Sequence, residues 1–467
     1  MPLAGKSIVT AATLAALSTV LSAVQWKDAP LDRLDVTPAP NVLPTSFPVA
    51  PCAAAVLAAT GLATAAIQAA RGNALPAVRV GLRRAALATA NADYLRVDGR
   101  VVKSWDTITG YYRASDDWVY LHGNFPHLRD GLLRLLGVDG DRAALAAAVA
   151  RWRADDIERE AGERGLCAVR ARRRDEWRAH PQFQAACAVP LLRVRRIGDA
   201  PREPFTAGER PLWGVRALDL SRVIAGPMVG RTLAEHGATV MLVSAPHLPS
   251  LQPLVIDTGF GKLSALLDLR NASDAQRLRE LARDADIFID AYRPGALAAR
   301  GFDPQTLARL RPGLICVSVS AFCADGPWGA RRGYDTLVCA ATGLGYADTA
   351  KPQRLPCQPL DYLTGYLGAF GAMIALRRRA LEGGSWHVSL SLDRTAAWLW
   401  EMADAFGREA SVPASRPPVD EVGDLCATTP SAFGELQHFL PMLDMPGAQP
   451  RWWRAPVPPG TDAAQWP

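Results

Sequence analysis

Val215-Arg216-Ala217-Leu218-Asp219-Leu220-Ser221-Arg222-Val223-Ile224-Ala225-Gly226-Pro227-Met228 sets a short apolar strand before a turn that contains glycine and proline. The spacing predicts a strand over 215–220, then a helix from Met228 to His236 that Gly237 stops, then a second strand over Thr239 to Val243. Further along, Ser273 and Gln276 form a capping-box pair that opens a helix running to Arg283. Ile287 to Asp290 reads as the next strand and Leu314 to Ser318 as another. Strands alternating with helices in this way predict an α/β fold. Its Rossmann-like parallel sheet is covered by helices, and ligands are taken at the carboxyl ends of the strands.

The organisation outside this stretch divides the chain into four parts. Residues 1–93 contain six prolines between positions 27 and 52, which reads as a linker or irregular loop, followed by an Ala-rich buried helix over 53–70 and an alternating strand at Val78, Val80 and Leu82. The same order returns within 212–410, where Tyr362 to Ala380 reads as a helix and Val388, Leu390 and Leu392 alternate. Val78 maps onto Val388 and Arg84 onto Arg394, both at an offset of 310, the mark of an internal repeat. Between the copies, residues 94–205 carry Tyr94, Trp105, Tyr111, Tyr112, Trp118, Tyr120 and Phe125, then two Arg/Glu-rich helices over 141–179, and read as a smaller α+β domain. Residues 411–467 form a Pro/Trp-rich segment expected to pack over that smaller domain.

A chain of 467 residues with 49% hydrophobic and 21% charged residues has enough apolar surface for two or three ordinary globular domains. The net charge of +6 suits acidic small molecules and falls short of a nucleic-acid signature; the cluster Arg170, Arg172, Arg173 and Arg174 reads first as a solvated helix face. The eight cysteines show no CxxC pair and no histidine at ligand spacing, so no metal site and no disulfide framework is expected, and the thiols fit a cytoplasmic protein. Lys6 and the run Ile8 to Val24 imitate a signal peptide, but Thr and Ser dilute the run. No stretch of about 18 strongly apolar residues is read, so no membrane span is expected.

Two nucleotide motifs fail on inspection. Gly259-Phe260-Gly261-Lys262 lacks the upstream glycine and the Ser or Thr of a phosphate loop, and the first strand is not followed by GxGxxG, which removes the support for a nicotinamide cofactor. The turn before Met228 still permits an anion: Gly226 allows close backbone approach and the helix start presents free amides.

Residues 212 to 400 resemble the large domain of class III CoA-transferases, the group of formyl-CoA transferase, carnitine CoA-transferase and the methylacyl-CoA racemases. The resemblance rests on Leu218-Asp219-Leu220-Ser221 through Gly226-Pro227, Glu235-His236-Gly237-Ala238-Thr239-Val240, Leu267-Asp268-Leu269, Tyr292-Arg293-Pro294-Gly295, Gly333-Tyr334-Asp335 and Asp361-Tyr362-Leu363-Thr364-Gly365. It implies that Asp361 attacks a CoA thioester and passes through an aspartyl-CoA intermediate; from the residues alone Asp361 would read as a helix N-cap. It implies a CoA site at Ile224, Ala225, Lys262, Ala291, Tyr292, Arg293 and Tyr334. It also implies CoA thioester as substrate, no permanently bound cofactor, a carboxylic acid acceptor, and a homodimer.

The departures from the family pattern bear on function. Val243-Ser244-Ala245-Pro246 stands where an acidic-basic pair is usual, removing a phosphate or ribose contact, and the segment from Ser244 to Lys262 is short, which alters the acyl pocket. Tyr334 replaces the histidine of the racemases and favours transfer over α-proton exchange. His180-Pro181-Gln182-Phe183 resembles a small-domain stretch, here placed ahead of the large domain. Where Asp361 would fall in the first copy there are only Ala53 and Ala54. Two other readings stand beside the transferase: a CoA-thioester racemase or isomerase, and a non-catalytic paralogue that binds CoA esters.

Overall fold

A computed structural model describes residues 8–102, 105–346, 350–409 and 411–467, with Ile8 described by its backbone alone; Lys6 lies outside the described residues. Its largest sheet has seven strands in the order Lys262–Leu266, Thr239–Ser244, Arg216–Leu220, Ile287–Asp290, Ile315–Ser320, Ser385–Ser391 and Arg193–Gly198. The first six are parallel and the last is antiparallel. Strand order therefore reverses at Arg216–Leu220, whose neighbours are the next strand in sequence on one side and Ile287–Asp290 on the other. In an open sheet of this kind the crevice outside the carboxyl ends at the reversal is where ligands sit.

Alternation along each strand sorts the side chains into two cores. Leu218, Leu220, Met241, Phe288 and Cys316 pack with Leu278, Leu281 and Leu307 on one face. Ala217, Val240, Ile289, Val317 and Val388 pack on the other against the helices Ala225–Glu235 and Pro359–Glu382. Burial on both faces is what a parallel sheet requires. Burying a Leu, Ile, Val or Phe side chain contributes about 1.5–3 kcal/mol, so these strands are fixed by packing more than by backbone propensity.

The repeat is visible in the folded chain. A helix Val49–Ala70, a strand Val78–Gly81 and a helix Leu82–Ala88 form the first copy. Pro359–Glu382, Ser385–Ser391 and Leu392–Phe406 form the second. The paired helices start 310 residues apart in both cases, which places Pro51, and not Ala53 or Ala54 as expected from the sequence, opposite Asp361. The two long helices lie against each other, with the Thr64 hydroxyl donating to Met373 Sδ at 3.3 Å. Leu392, expected in the strand, opens the following helix instead, as Leu82 does in the first copy.

Several sequence expectations need correction here. The region 27–52 is not merely a linker: Leu34–Thr37 pairs in parallel with Val78–Gly81, and the long helix begins at Val49 with Pro51 in its first turn, where a missing N–H costs nothing. That helix is also long and apolar enough to cross a membrane by length and composition, contrary to the expectation of no such stretch, but 94% of its most apolar window is buried inside the protein. Arg193–Gly198, assigned to the smaller domain, is the antiparallel edge of the large sheet. The smaller region keeps a three-stranded sheet, Gly110–Arg113, Trp118–Leu121 and Ala168–Arg170, backed by Leu132, Leu145 and Ile157.

The C-terminal segment packs over the large domain and also pairs with the start of the smaller one. Trp453 Nε1 donates to the Gly261 carbonyl at 2.7 Å, Trp466 Nε1 donates to the Leu281 carbonyl at 3.0 Å, and the Ser264 N–H donates to Asp462 at 2.8 Å. Its hairpin, Cys426–Ser431 with Gly434–Phe439, extends a sheet through Arg96–Val97.

Candidate active site

The turn after Arg216–Leu220 and the turn after Ile287–Asp290 meet at the point where strand order reverses. Their approach depends on Gly226: a β-carbon there would sit 2.4 Å from Ser221 Cβ and 2.5 Å from Ala291 Cβ, closer than side chains can come. Val223, in the same turn, has a positive φ of 73°, unusual for a β-branched residue and a sign that the turn is held in shape by its surroundings.

Asp361 reaches this crevice from the first turn of Pro359–Glu382. Gly365, one turn on, lies so close to the Ala225–Glu235 helix that a β-carbon would meet Met228 Cβ at 2.5 Å and the Ala225 carbonyl oxygen at 2.8 Å. Thr364 is tied to Thr395 of the next helix by a hydroxyl-hydroxyl hydrogen bond of 2.8 Å. The Asp-x-x-Thr-Gly spacing thus places a carboxylate, an anchor and a close contact on one helix start.

The reading of Asp361 as a plain cap fails on geometry. The helix is capped from outside by Asp335, whose Oδ2 accepts the backbone N–H of Leu360 at 2.7 Å and of Asp361 at 3.0 Å. Asp361 is 6% exposed, and among the described residues its carboxyl oxygens have no hydrogen-bond partner. Burial raises its pKa well above the ordinary carboxylate value, and the neighbouring Asp335 adds to the effect. Burial raises the pKa of Asp335 as well, while the backbone N–H groups of Asp361 and Leu360 favour its charged form.

Asp361 opens onto two chambers. The larger, about 330 Å³, is lined by Ile224, Ala225, Ala291, Tyr292, Arg293 and Tyr334 together with Arg222, Arg331, Arg332 and His127. Six of the seven residues that sequence reasoning assigned to CoA are therefore brought together. The seventh, Lys262, is not. Leu263 and Ala265 face the second core, so Lys262 points the other way, under the Ala225–Glu235 helix, and is 1% exposed. Its ammonium donates to Asp219 Oδ2 and to the Pro227 carbonyl, both at 2.7 Å, and is fully used in holding the turn from beneath.

The cations of this chamber other than Arg293 were missed because they come from two separate loops. Arg222 lies 4.7 Å over the Phe125 ring, Arg331 lies 4.5 Å over Trp328, and Arg332 reaches His127 Nε2 at 3.3 Å. Arg293 has no carboxylate partner among the described residues. The conspicuous cluster Arg170 to Arg174 is occupied elsewhere: Arg170 with Asp117 and Glu176, Arg172 with Glu158, Arg174 with Asp404, and Arg173 over Tyr346.

The smaller chamber, about 40 Å³, adjoins the larger one, sharing Phe125, Val223, Ile224, Tyr334 and Asp361 with it, and is otherwise walled by Trp105, His122, Leu254 and Gln358 among others. His122 stacks on Tyr334 with centroids 4.1 Å apart and planes 14° apart. Burial lowers the His122 pKa to about 3 and pushes the Tyr334 phenol upward, so both are neutral through the physiological range. The pair could have been sought in the sequence as the aromatic and histidine content of 105–125, but nothing local ties that segment to Tyr334.

A buried carboxyl group on a helix start, set at the reversal point of a parallel sheet beside an arginine-lined chamber, is the arrangement the motif resemblance implies, and the match to known proteins falls on the same segment. The model of the family described as CoA-transferase family III matches residues 212–416. Residues 212–416 belong to CoA-transferase family III. Relatives of this family III segment include an acetyl-coenzyme A transferase of Hypoxylon pulicicidum, 37% identical over 43% of this chain and 35% of that protein. An acyl-CoA transferase of Gibberella moniliformis is 30% identical over 61% of this chain and 55% of that protein. The solved structure of Rv3272 from Mycobacterium tuberculosis in its orthorhombic form is 31% identical, covers 41% of this chain and 56% of that one, and has a TM-score of 0.40. The chain spans between about a third and somewhat over half of the length of these relatives.

Proposed function

We propose that this chain is a CoA-transferase that moves CoA between carboxylic acids through an aspartyl-CoA thioester on Asp361. The observation that carries the reading is a buried carboxyl group with no hydrogen-bond partner, standing between an arginine-lined chamber and an apolar one. The phosphates of CoA suit Arg222, Arg293 and Arg332, and Tyr292 and Tyr334 offer ring faces to its uncharged parts.

In the first step an Asp361 carboxylate oxygen bonds to the thioester carbonyl carbon and the CoA thiolate leaves, giving a mixed anhydride. The thiolate then attacks the Asp361 side of the anhydride, forming aspartyl-CoA and releasing the donor acid as its carboxylate. The acceptor carboxylate repeats both steps in reverse order and regenerates the Asp361 carboxylate. Thiolate and carboxylates are all anionic, so the surrounding guanidinium groups favour each leaving group.

His122 and Tyr334 do not favour the racemase reading, because neither exchanges a proton near neutral pH in this setting. The reading places the protein in the cytoplasm, supported by eight free cysteines, the state a reducing compartment maintains. The dimer implied by the resemblance takes a changed form in the same proposal: the first copy of the repeat already covers the Pro359–Glu382 helix from within the chain.

The test is intact-protein mass spectrometry after incubation with acyl-CoA thioesters, with hydroxylamine to trap the aspartyl ester. A CoA adduct present in the native chain and lost in Asp361→Asn is expected. CoA binding to the folded native chain without any adduct would overturn the transferase reading in favour of a binding paralogue.

A further inference from the structure

The two chambers beside Asp361 differ in charge, and the difference bears on which acids the site accepts. The larger one contains four arginines and a single carboxyl group, Asp361 itself. The smaller one contains three carboxyl groups, Asp93, Asp335 and Asp361, and no lysine or arginine. Arg354 lies 4.3 Å over the Trp105 ring without lining the chamber, and Arg416 is engaged by Asp93. The remaining wall is aromatic and aliphatic, with Trp105, Phe125, Ile224 and Leu254.

Two buried polar atoms of the wall, His122 Nδ1 and Gln358 Oε1, have no hydrogen-bond partner among the described residues. An unpaired buried polar atom costs about 1–3 kcal/mol, a cost that a ligand can relieve by hydrogen bonding. Both groups are neutral, so they suit a neutral ligand group and give no compensation for a charge.

We infer that the smaller chamber is the acyl subsite and that it selects uncharged acyl groups, the thioesters of monocarboxylic acids, against those that carry a second carboxylate. The inference rests on the proposed transferase reading, because a subsite for the acyl group presupposes attack by Asp361. A dicarboxylate tail would enter a low-dielectric pocket whose described lining offers carboxyl groups and no cation, whereas an alkyl or hydroxyalkyl tail meets apolar walls and neutral hydrogen-bonding groups.

Butyryl-CoA and succinyl-CoA differ essentially by a methyl group against a carboxylate at the same chain length, so they isolate the charge. The experiment measures the rate of adduct formation on the native chain with each, then with Leu251→Arg, which adds a cation to the wall. Butyryl-CoA is expected to react roughly tenfold faster or more, and Leu251→Arg to narrow or invert the ratio. Equal rates, or a preference for succinyl-CoA in the native chain, would overturn the inference while leaving the transferase reading in place. The native ratio decides this even if the variant fails to fold. Adducts with neither thioester nor with any other acyl-CoA would instead overturn the transferase reading, and this inference with it.

Discussion

Replacing Gly365 by alanine adds one methyl group at a tight contact between the helix that carries Asp361 and the turn that shapes the site. The new β-carbon would stand 2.5 Å from Met228 Cβ and 2.8 Å from the Ala225 carbonyl oxygen. Carbon atoms in contact rest at about 3.5–4.0 Å, so the two helices must separate by about 1 Å or tilt. Overpacking of this kind costs about 1–3 kcal/mol. The larger effect is on activity. Asp361 rides on one of the two helices and the Ile224–Ala225 turn on the other, and a displacement of about 1 Å between reacting groups costs on the order of a hundredfold in rate. Adduct formation and urea unfolding would be followed in Gly365→Ala beside Gly423→Ala, a position with nothing within 4 Å of an added β-carbon and no positive φ. The expected pattern is a stability loss of about 1–3 kcal/mol with a much larger fractional loss of rate in Gly365→Ala, and little change in Gly423→Ala. A Gly365→Ala protein as fast as the native chain would show that this contact does not set the position of the nucleophile.

Removing the charge of Asp335 in Asp335→Asn takes away a negative neighbour that holds the Asp361 pKa up, so the acid limb of the pH-rate profile should move to lower pH; an unmoved limb would place the controlling group elsewhere. Asp361→Asn should stabilise the fold increasingly as pH rises from about 4, because the unfolded carboxyl loses its proton near that value while the buried one keeps it. Urea melts at pH 4, 6 and 8 would show a widening gap, and a gap constant with pH would refute the assignment. Lys262→Met should cost about 3–5 kcal/mol by leaving Asp219 buried and unpaired, and Asp219→Asn in the same chain should recover much of it. A stable Lys262→Met protein with weakened CoA binding would return Lys262 to the binding set.

The sequence carried the architecture where the signal is local. Ile287–Asp290 was legible to the residue because an apolar run closes on an aspartate at a turn, and the repeat was legible because the offset between copies is constant. Lys262 was misplaced because a motif position does not say which face of a strand a side chain takes. The neighbours Leu263 and Ala265 fix that face, and an aspartate inside the apolar strand 216–220 was the sign that a buried cation must meet it. Asp335 and the arginines at 222, 331 and 332 stayed hidden as site residues because what unites them is tertiary: two loops and a helix start that are adjacent only once the strand order reverses.

The duplicated unit gives the chain one copy with a buried carboxyl group at its helix start and one copy without any acid. With Pro51 standing where Asp361 stands in the other copy, the 49–88 segment has no acid to contribute, yet it is buried almost throughout. Amino-acid changes along it should therefore be read out as the amount of protein a cell retains, whereas changes at Asp361 should leave that amount intact and remove turnover. A mutational scan that scores abundance and activity separately would then draw the boundary between the two copies without reference to any sequence comparison.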